Sequence, residues 1–275
     1  MKSYLKTKDY AVTGEEFVLL YDESLNMLVT KPQPQNLDKY YKSENYISHT
    51  DASTTIIDKI YQTVKKYSLR KKVGLVQKYC SNGKTLLDVG AGTGDFLLTA
   101  KNRDWDVEGI EPNQNAKIRA QEKGIDLYPT LEKLLRKKYD VITLWHVLEH
   151  LPNLDDQIDK LVSLLNEKGT LVIAVPNFKS YDAQHYQNFW AAYDVPRHLW
   201  HFSKEAIEKL FSDHGMKVVK VRPMIFDSFY AAMLSEKYKT GRQNYFKAFV
   251  IGLLSNIKAW SSKEYSSHIY ILKRR

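Results

Sequence analysis

Lys84-Thr85-Leu86-Leu87-Asp88-Val89-Gly90-Ala91-Gly92-Thr93-Gly94-Asp95-Phe96 decides how this chain reads. Its first half is an apolar run of the kind that forms a buried strand, with Asp88 at the strand's end. The glycines after it make a tight loop whose backbone N–H groups can face a ligand's negative charge where a helix begins. The spacing is Gly-x-Gly-x-Gly over Gly90, Gly92 and Gly94, followed by Asp95 and Phe96. That departs from the Gly-x-Gly-x-x-Gly fingerprint of dinucleotide sites and argues against NAD.

Outward from this loop, two further blocks stand in the order an α/β nucleotide site requires. About 20 residues on, Asp106-Val107-Glu108-Gly109-Ile110-Glu111-Pro112 is a short strand ending in an acid, where such sheets hold a ribose diol, so Glu111 is the ribose candidate. Tyr139-Asp140-Val141-Ile142-Thr143-Leu144-Trp145-His146 is another buried strand whose C-terminal end faces the same crevice, and Val147-Leu148-Glu149-His150-Leu151 follows it. From Lys84 onward strand and helix patterns alternate, which predicts a parallel sheet with crossover helices. Strands are expected near 84–89, 106–111, 125–128, 139–145 and 169–175, and helices over 113–123, 131–137 and 155–165.

In these blocks the chain resembles the class I S-adenosylmethionine (SAM) dependent methyltransferases over roughly residues 70–275. The resemblance rests on Leu87-Asp88-Val89-Gly90-Ala91-Gly92-Thr93-Gly94, Glu111, Glu149-His150-Leu151 and Gly169-Thr170-Leu171-Val172-Ile173. It implies a Rossmann-like α/β fold: a seven-stranded, mostly parallel sheet with helices on both faces and an antiparallel last strand. The closing hairpin would pair Met216–Val221 with Ser267–Leu272. It also implies SAM as cofactor, bordered by the backbone of Gly90, Ala91, Gly92 and Gly94. Asp88 and Asp95 would organise its ammonium and Glu111 its ribose. Pro112 and Tyr128 would sandwich the adenine, while Phe96, Trp145 and His146 stand near the sulfur end. For Asp88 a helix-capping role is the alternative.

The 275 residues, 43% hydrophobic, can bury a full α/β core, and one such domain with additions is expected. A formal charge of +9 favours anionic partners, although the cations are spread along the chain. The single cysteine, Cys80, excludes an intramolecular disulfide and fits a reducing compartment. The first ten residues lack the apolar core of a signal peptide, and no apolar run reaches the ~20 residues of a membrane span. A cytoplasmic protein is expected. No nucleic-acid motif stands out, so nucleic acid ranks low as a partner.

Residues 1–53 are expected to form an N-terminal hairpin and lid, ahead of the cofactor-binding domain at 54–275. Phe17–Tyr21 and Met27–Thr30 read as hairpin strands around Asp22-Glu23-Ser24. This end is similar to sugar C-methyltransferases in which paired cysteines bind zinc. Those cysteines are absent here, so no metal is expected and the module is read as one that only packs. In that family a tyrosine-rich segment crosses the cofactor mouth, which makes Tyr41 and Tyr46 lid candidates. A helical face covered by aromatic rings is the alternative. Residues 54–80 have helical periodicity and read as one or two helices.

Past the fifth strand, Asn177 and the loop Phe189–Ser203 are expected on the acceptor side of the cleft, with Trp190 and Arg197 as substrate contacts. Ser203 caps the helix that follows. His198 matches in position a histidine of the sugar C-methyltransferases, which implies that it takes the acceptor's proton, with His201 beside it. Locking hydrogen bonds from both histidines and an Arg197–Asp194 salt bridge are the alternatives. An apolar insertion at about 224–262 is expected to form helices over the active-site side, as a substrate lid or dimer face, with a helix lying on lipid as the alternative. The expected acceptor is a small or lipid-like molecule methylated at oxygen, as in the quinone-biosynthesis O-methyltransferases that Glu149-His150-Leu151 resembles. A nucleotide-linked sugar, or a non-catalytic SAM-binding protein, is the alternative.

Overall fold

The computed structural model of the protein describes residues 1–41, 56–80, 83–134 and 137–275. Tyr46 and the expected domain boundary at 53–54 lie outside the described residues.

The strands form where apolar runs are too long for a one-sided surface. Thr85–Val89 (β4), Asp106–Ile110 (β5), Leu127–Tyr128 (β6), Tyr139–Trp145 (β7) and Leu165–Pro176 (β8) pair in parallel. In β8 the run Leu171–Val175 is buried on both faces, as a central parallel strand requires. Met216–Pro223 (β10) and Ser267–Arg274 (β11) close the sheet, and β11 runs antiparallel to both β8 and β10. The order across the sheet is β10-β11-β8-β7-β4-β5-β6, the seven-stranded Rossmann-like arrangement expected.

Alternate residues feed two cores. Leu87, Val89, Ile142, Leu144, Leu171 and Ile173 face Leu154–Ser163 (α4) and Lys204–Asp213 (α6). The opposite face, with Leu86, Val141, Val172 and Ala174, packs on Ile56–Tyr79 (α1), Asp95–Lys101 (α2) and Gln114–Gln121 (α3). Side chains with a period of two on the strands thus meet helices on both faces. Each fully buried Leu or Ile contributes about 1.5–3 kcal/mol relative to exposure. Ser203 caps its helix as expected, accepting from Ala206 N–H, and Asn113 caps α3 by accepting from Ala116 N–H. Residues 131–134 make a 3-10 turn.

The N-terminus departs from a plain hairpin. Lys2–Lys8 (β1), Glu16–Asp22 (β2) and Met27–Lys31 (β3) form an antiparallel sheet whose fourth strand, Trp200–His201 (β9), comes from the loop read as acceptor-facing. β1 escaped detection because it is a largely exposed edge with little apolar alternation. The two sheets are joined by charge as well as backbone. Arg197, nearly fully buried, reaches Asp194 at 2.7 Å, Asp9 at 2.9 Å and the Tyr40 carbonyl at 2.8 Å. Beyond α5 (Tyr181–Tyr186), the insertion forms Asp227–Thr240 (α7) and Tyr245–Ser262 (α8), two antiparallel helices packed on one another.

Burial raises the Asp9 and Asp194 carboxyl groups, but the Arg197 guanidinium outweighs it and both end below the usual range. Groups depressed in this way stabilise the fold above the unfolded carboxyl pKa, and that stability is lost as pH falls through the folded value. Asp9→Ala leaves the buried guanidinium short of a counter-charge and is expected to cost about 3 kcal/mol at neutral pH in urea denaturation. The deficit should shrink as the medium is acidified below about pH 4. A loss under about 1 kcal/mol would show that Arg197 does not tie the two sheets together.

Candidate active site

The sheet order reverses between β4 and β7, and the C-terminal ends of strands at such a switch point outline a crevice. Three loops meet there. The first holds Gly90, Gly92 and Gly94 at φ +73°, +54° and +75°, a backbone that side chains rarely adopt. At Gly90 a Cβ would also stand 2.3 Å from Val147, while the space beside Gly92 is open. Gly90 and Ala91 donate to the Ile110 carbonyl, and Gly92 donates to Glu111 at 2.9 Å. Glu111, directly after β5, also accepts from Asn113 N–H, so both its oxygens are aligned by backbone donors.

Asp88 is buried in register with Thr143 of β7, whose hydroxyl donates to it at 2.5 Å. Burial pushes its carboxyl up to about 7 despite that bond. Asp95 is held by Lys65 at 2.7 Å and Lys123 at 2.6 Å. Burial raises its carboxyl, but the two ammonium groups bring it below the usual range. Phe96 packs edge-on against Trp145, with ring centroids 5.5 Å apart. The Trp145 indole N–H is buried without a partner among the described residues, and the Lys72 ammonium lies 4.3 Å above the ring. Tyr128 is half-buried with its carbonyl accepting from Glu111 N–H, and Pro112 is exposed beside it.

After β7 the chain turns sharply at His146, φ +58°. His146 Nε2 lies 2.9 Å from Asp227 and Nδ1 3.4 Å from Glu149. Burial lowers an imidazole, yet the two carboxylates outweigh it and push His146 up to about 10, so it is a cation at neutral pH. Glu149 is buried with no hydrogen bond to either oxygen among the described residues, and the His146 cation beside it keeps it ionised against its burial. His150 donates Nδ1–H to the Arg197 carbonyl at 3.0 Å, since a carbonyl can only accept. The Tyr41 hydroxyl lies 3.3 Å from the same nitrogen. Burial and the neighbouring His198 take His150 down to about 4, and burial takes Tyr41 up to about 12.

His198, 8% exposed, donates Nδ1–H to the Ala192 carbonyl at 2.9 Å and packs edge-on against His150 at 4.5 Å. Its Nε2 lies 4.0 Å from Asp194 Oδ2. The ligand atoms of Glu149, His150 and His198 lie within 4.8 Å of one another, and this is where a divalent cation would find donors among the described residues. Sequence reading assigned no metal role to them.

Four other sequence candidates are engaged within the chain. His201 is buried against Thr30 at 3.0 Å, and burial lowers it well below the ordinary histidine range. Trp190 donates its indole N–H to Asp182 at 2.8 Å. Asn177 donates its side-chain amide to Glu264 and to the Tyr265 carbonyl. Arg197 is the buried link to Asp9 and Asp194, so its fork is occupied by carboxylates of the chain itself. Of the 189–203 loop, His198 is the sequence candidate placed beside Glu149 and His150. Sequence reading missed Asp227, whose only signal is an acid opening a helix after the apolar Met224-Ile225-Phe226. It also missed Lys72, one cation among several on α1.

The chain is similar to several known proteins. A methyltransferase-domain family profile matches residues 61–221, more than half of the chain. A ubiquinone biosynthesis O-methyltransferase of Histophilus somni is 28% identical over 158 residues, which is 52% of this chain and 64% of that protein. Its counterpart in Salmonella paratyphi A is 32% identical over 105 residues, 34% of this chain and 43% of that protein. The chain thus spans about half to two thirds of these curated relatives. Among solved structures, magnesium protoporphyrin IX methyltransferase of Synechocystis PCC 6803, with bound SAH, superposes with a TM-score of 0.56 at 16% identity. That match covers 86% of this chain and 97% of the other. The Mycobacterium tuberculosis cyclopropane synthase MmaA2 superposes with a TM-score of 0.52 at 15% identity, covering 74% and 82%. With the profile match resting on the same strands and loops that build the crevice, the chain belongs to the methyltransferase-domain family, enzymes whose cofactor is S-adenosyl-L-methionine.

Proposed function

We propose that this protein transfers the methyl group of SAM to a hydroxyl oxygen of a small or lipid-like acceptor. The observation that carries the reading is the meeting of the Gly90–Gly94 loop, Glu111 and the His146–Glu149–His198 cluster at the ends of β4, β5 and β7. The likeness to ubiquinone biosynthesis O-methyltransferases supports a phenolic acceptor of the quinone-precursor type.

The residues fit the cofactor. Open space lies beside Gly92, so the loop backbone can approach a methionyl group. Glu111, aligned by two N–H donors, keeps lone pairs for ribose hydroxyls. Tyr128 and Pro112 would hold the adenine, with Tyr41 toward the mouth. Asp88 would meet the ammonium from the core, and Asp95, tied to Lys65 and Lys123, fixes the first turn of α2. Trp145, Phe96 and His146 would border the sulfur end.

SAM supplies a methyl carbon on a cationic sulfur, open to in-line displacement. What remains for the protein is positioning and removal of one proton. His198 Nε2 takes the proton from the acceptor hydroxyl, because Nδ1 is already committed to Ala192. Glu149, buried and ionised, stabilises the imidazolium that results. The hydroxyl oxygen, freed of its proton, would then be placed to take the methyl carbon, with the carbon–sulfur electron pair left on sulfur. His146, held cationic by Asp227, keeps Glu149 charged without competing for the acceptor's proton.

Glu111→Ala removes charged acceptors worth about 1.5–3 kcal/mol per hydrogen bond, so calorimetry should find SAH affinity reduced on the order of tenfold or more. Unchanged affinity would place the ribose elsewhere. His198→Ala should lower turnover by at least about a hundredfold, with SAH affinity within about twofold of wild type. The assay is SAH release with catechol-type acceptors and, in parallel, nucleotide-linked sugars. Activity retained in His198→Ala would remove the base assignment, and turnover of nucleotide sugars alone would replace the phenolic acceptor.

A further inference from the structure

We propose that α8 docks the protein on an anionic lipid surface, a property independent of which acceptor is methylated. The helix is turned inside out relative to a core helix. Its inward, buried face is mostly small, with Ala248, Gly252, Ser255 and Ala259 beside Ile251. At Gly252 the packing is so close that a Cβ would stand 2.7 Å from the Phe229 ring of α7. The large apolar residues face out: Phe246 is 80% exposed, Phe249 57%, Leu253 42%, Ile257 42% and Trp260 67%. At 100° per residue these five fall within an arc of about 80°, over a length of about 21 Å. A stripe of this kind, led by aromatic residues, is what an interfacial helix buries at the boundary of headgroups and acyl chains.

Charge decides the occupant. From residue 237 to residue 263 the chain carries six cations, Lys237, Lys239, Arg242, Lys247, Lys258 and Lys263, and no carboxylate. Lys247 pairs with Glu236 at 3.0 Å, while Lys237, Lys239 and Arg242 extend into solvent at the α7–α8 turn. A second copy seated on the same stripe would bring two such basic flanks together with no acid to answer them. An anionic bilayer answers them, since each cation near its surface is drawn by the negative surface potential. No helix among the described residues is long and apolar enough to cross a membrane, so α8 would lie in the surface plane. The same hairpin carries Asp227, which pairs with His146 in the crevice, so docking would set the candidate site close to the lipid boundary.

The test is flotation of the full chain with vesicles of phosphatidylcholine alone and of phosphatidylcholine mixed with phosphatidylglycerol, beside light scattering for mass. Binding to the anionic vesicles is expected, at least tenfold weaker on neutral ones and weakened by salt. The double variant Phe246→Ser/Trp260→Ser should lose at least tenfold in vesicle affinity while keeping its melting temperature and SAH affinity. Loss of SAH binding in the wild type would sink the methyl-transfer reading without touching this one. No vesicle binding, equal binding to both lipid mixtures, or full binding by the double variant would overturn it. So would a wild-type dimer that the double variant abolishes, since a second copy would then be the occupant.

Discussion

Parallel pairing of β4 with β5 on one side and β7 on the other is the constraint on which the rest of this structure depends. The register that sets Val89 against Ile110 and Leu144 ends β4 and β5 at one level and β7 one residue later. Gly90, Glu111 and His146 are therefore the next residues on three neighbouring chains. Slip one strand by a residue and the side chains that fill one core would enter the other, so packing on both faces enforces the alignment that the site needs. The buried Asp88–Thr143 hydrogen bond marks the same register from the polar side.

The acceptor side is built on a different principle. Its loop is irregular, and irregular backbone must find partners if it is buried. The partners come from the far N-terminus: β3 pairs with β9, Thr30 donates its hydroxyl to the His198 carbonyl at 2.7 Å, and Asp9 answers Arg197. The N-terminal sheet is thus the wall that fixes His198, and its stability and the geometry of the proposed base are one problem. Near His198, burial and charge sort the imidazoles: His146 is a cation, His150 is neutral, and the ionised Glu149 lies among them.

Legibility in the sequence follows the range of the interactions. The strands at 85–89, 106–110 and 139–145, the glycine loop and Glu111 are local patterns, so composition and spacing were enough to find them. β9 was invisible because it exists only through a partner distant in the chain, and β1 because it is an exposed edge with little apolar alternation. The loop at 189–203 looked like a ligand-binding element because tryptophan, arginine and histidine serve equally well as buried hydrogen bonders. Asp9, 188 residues from Arg197, decides that question and leaves no local trace. Asp227 was hidden for the same reason, since its meaning depends on His146.

The account's central claim is that the crevice at β4, β5 and β7 holds an adenosyl sulfonium, and titration calorimetry of the purified protein tests it most directly. SAM and SAH should both bind with one site per chain while NAD gives no heat of binding. Binding of NAD with neither sulfur compound recognised would contradict it.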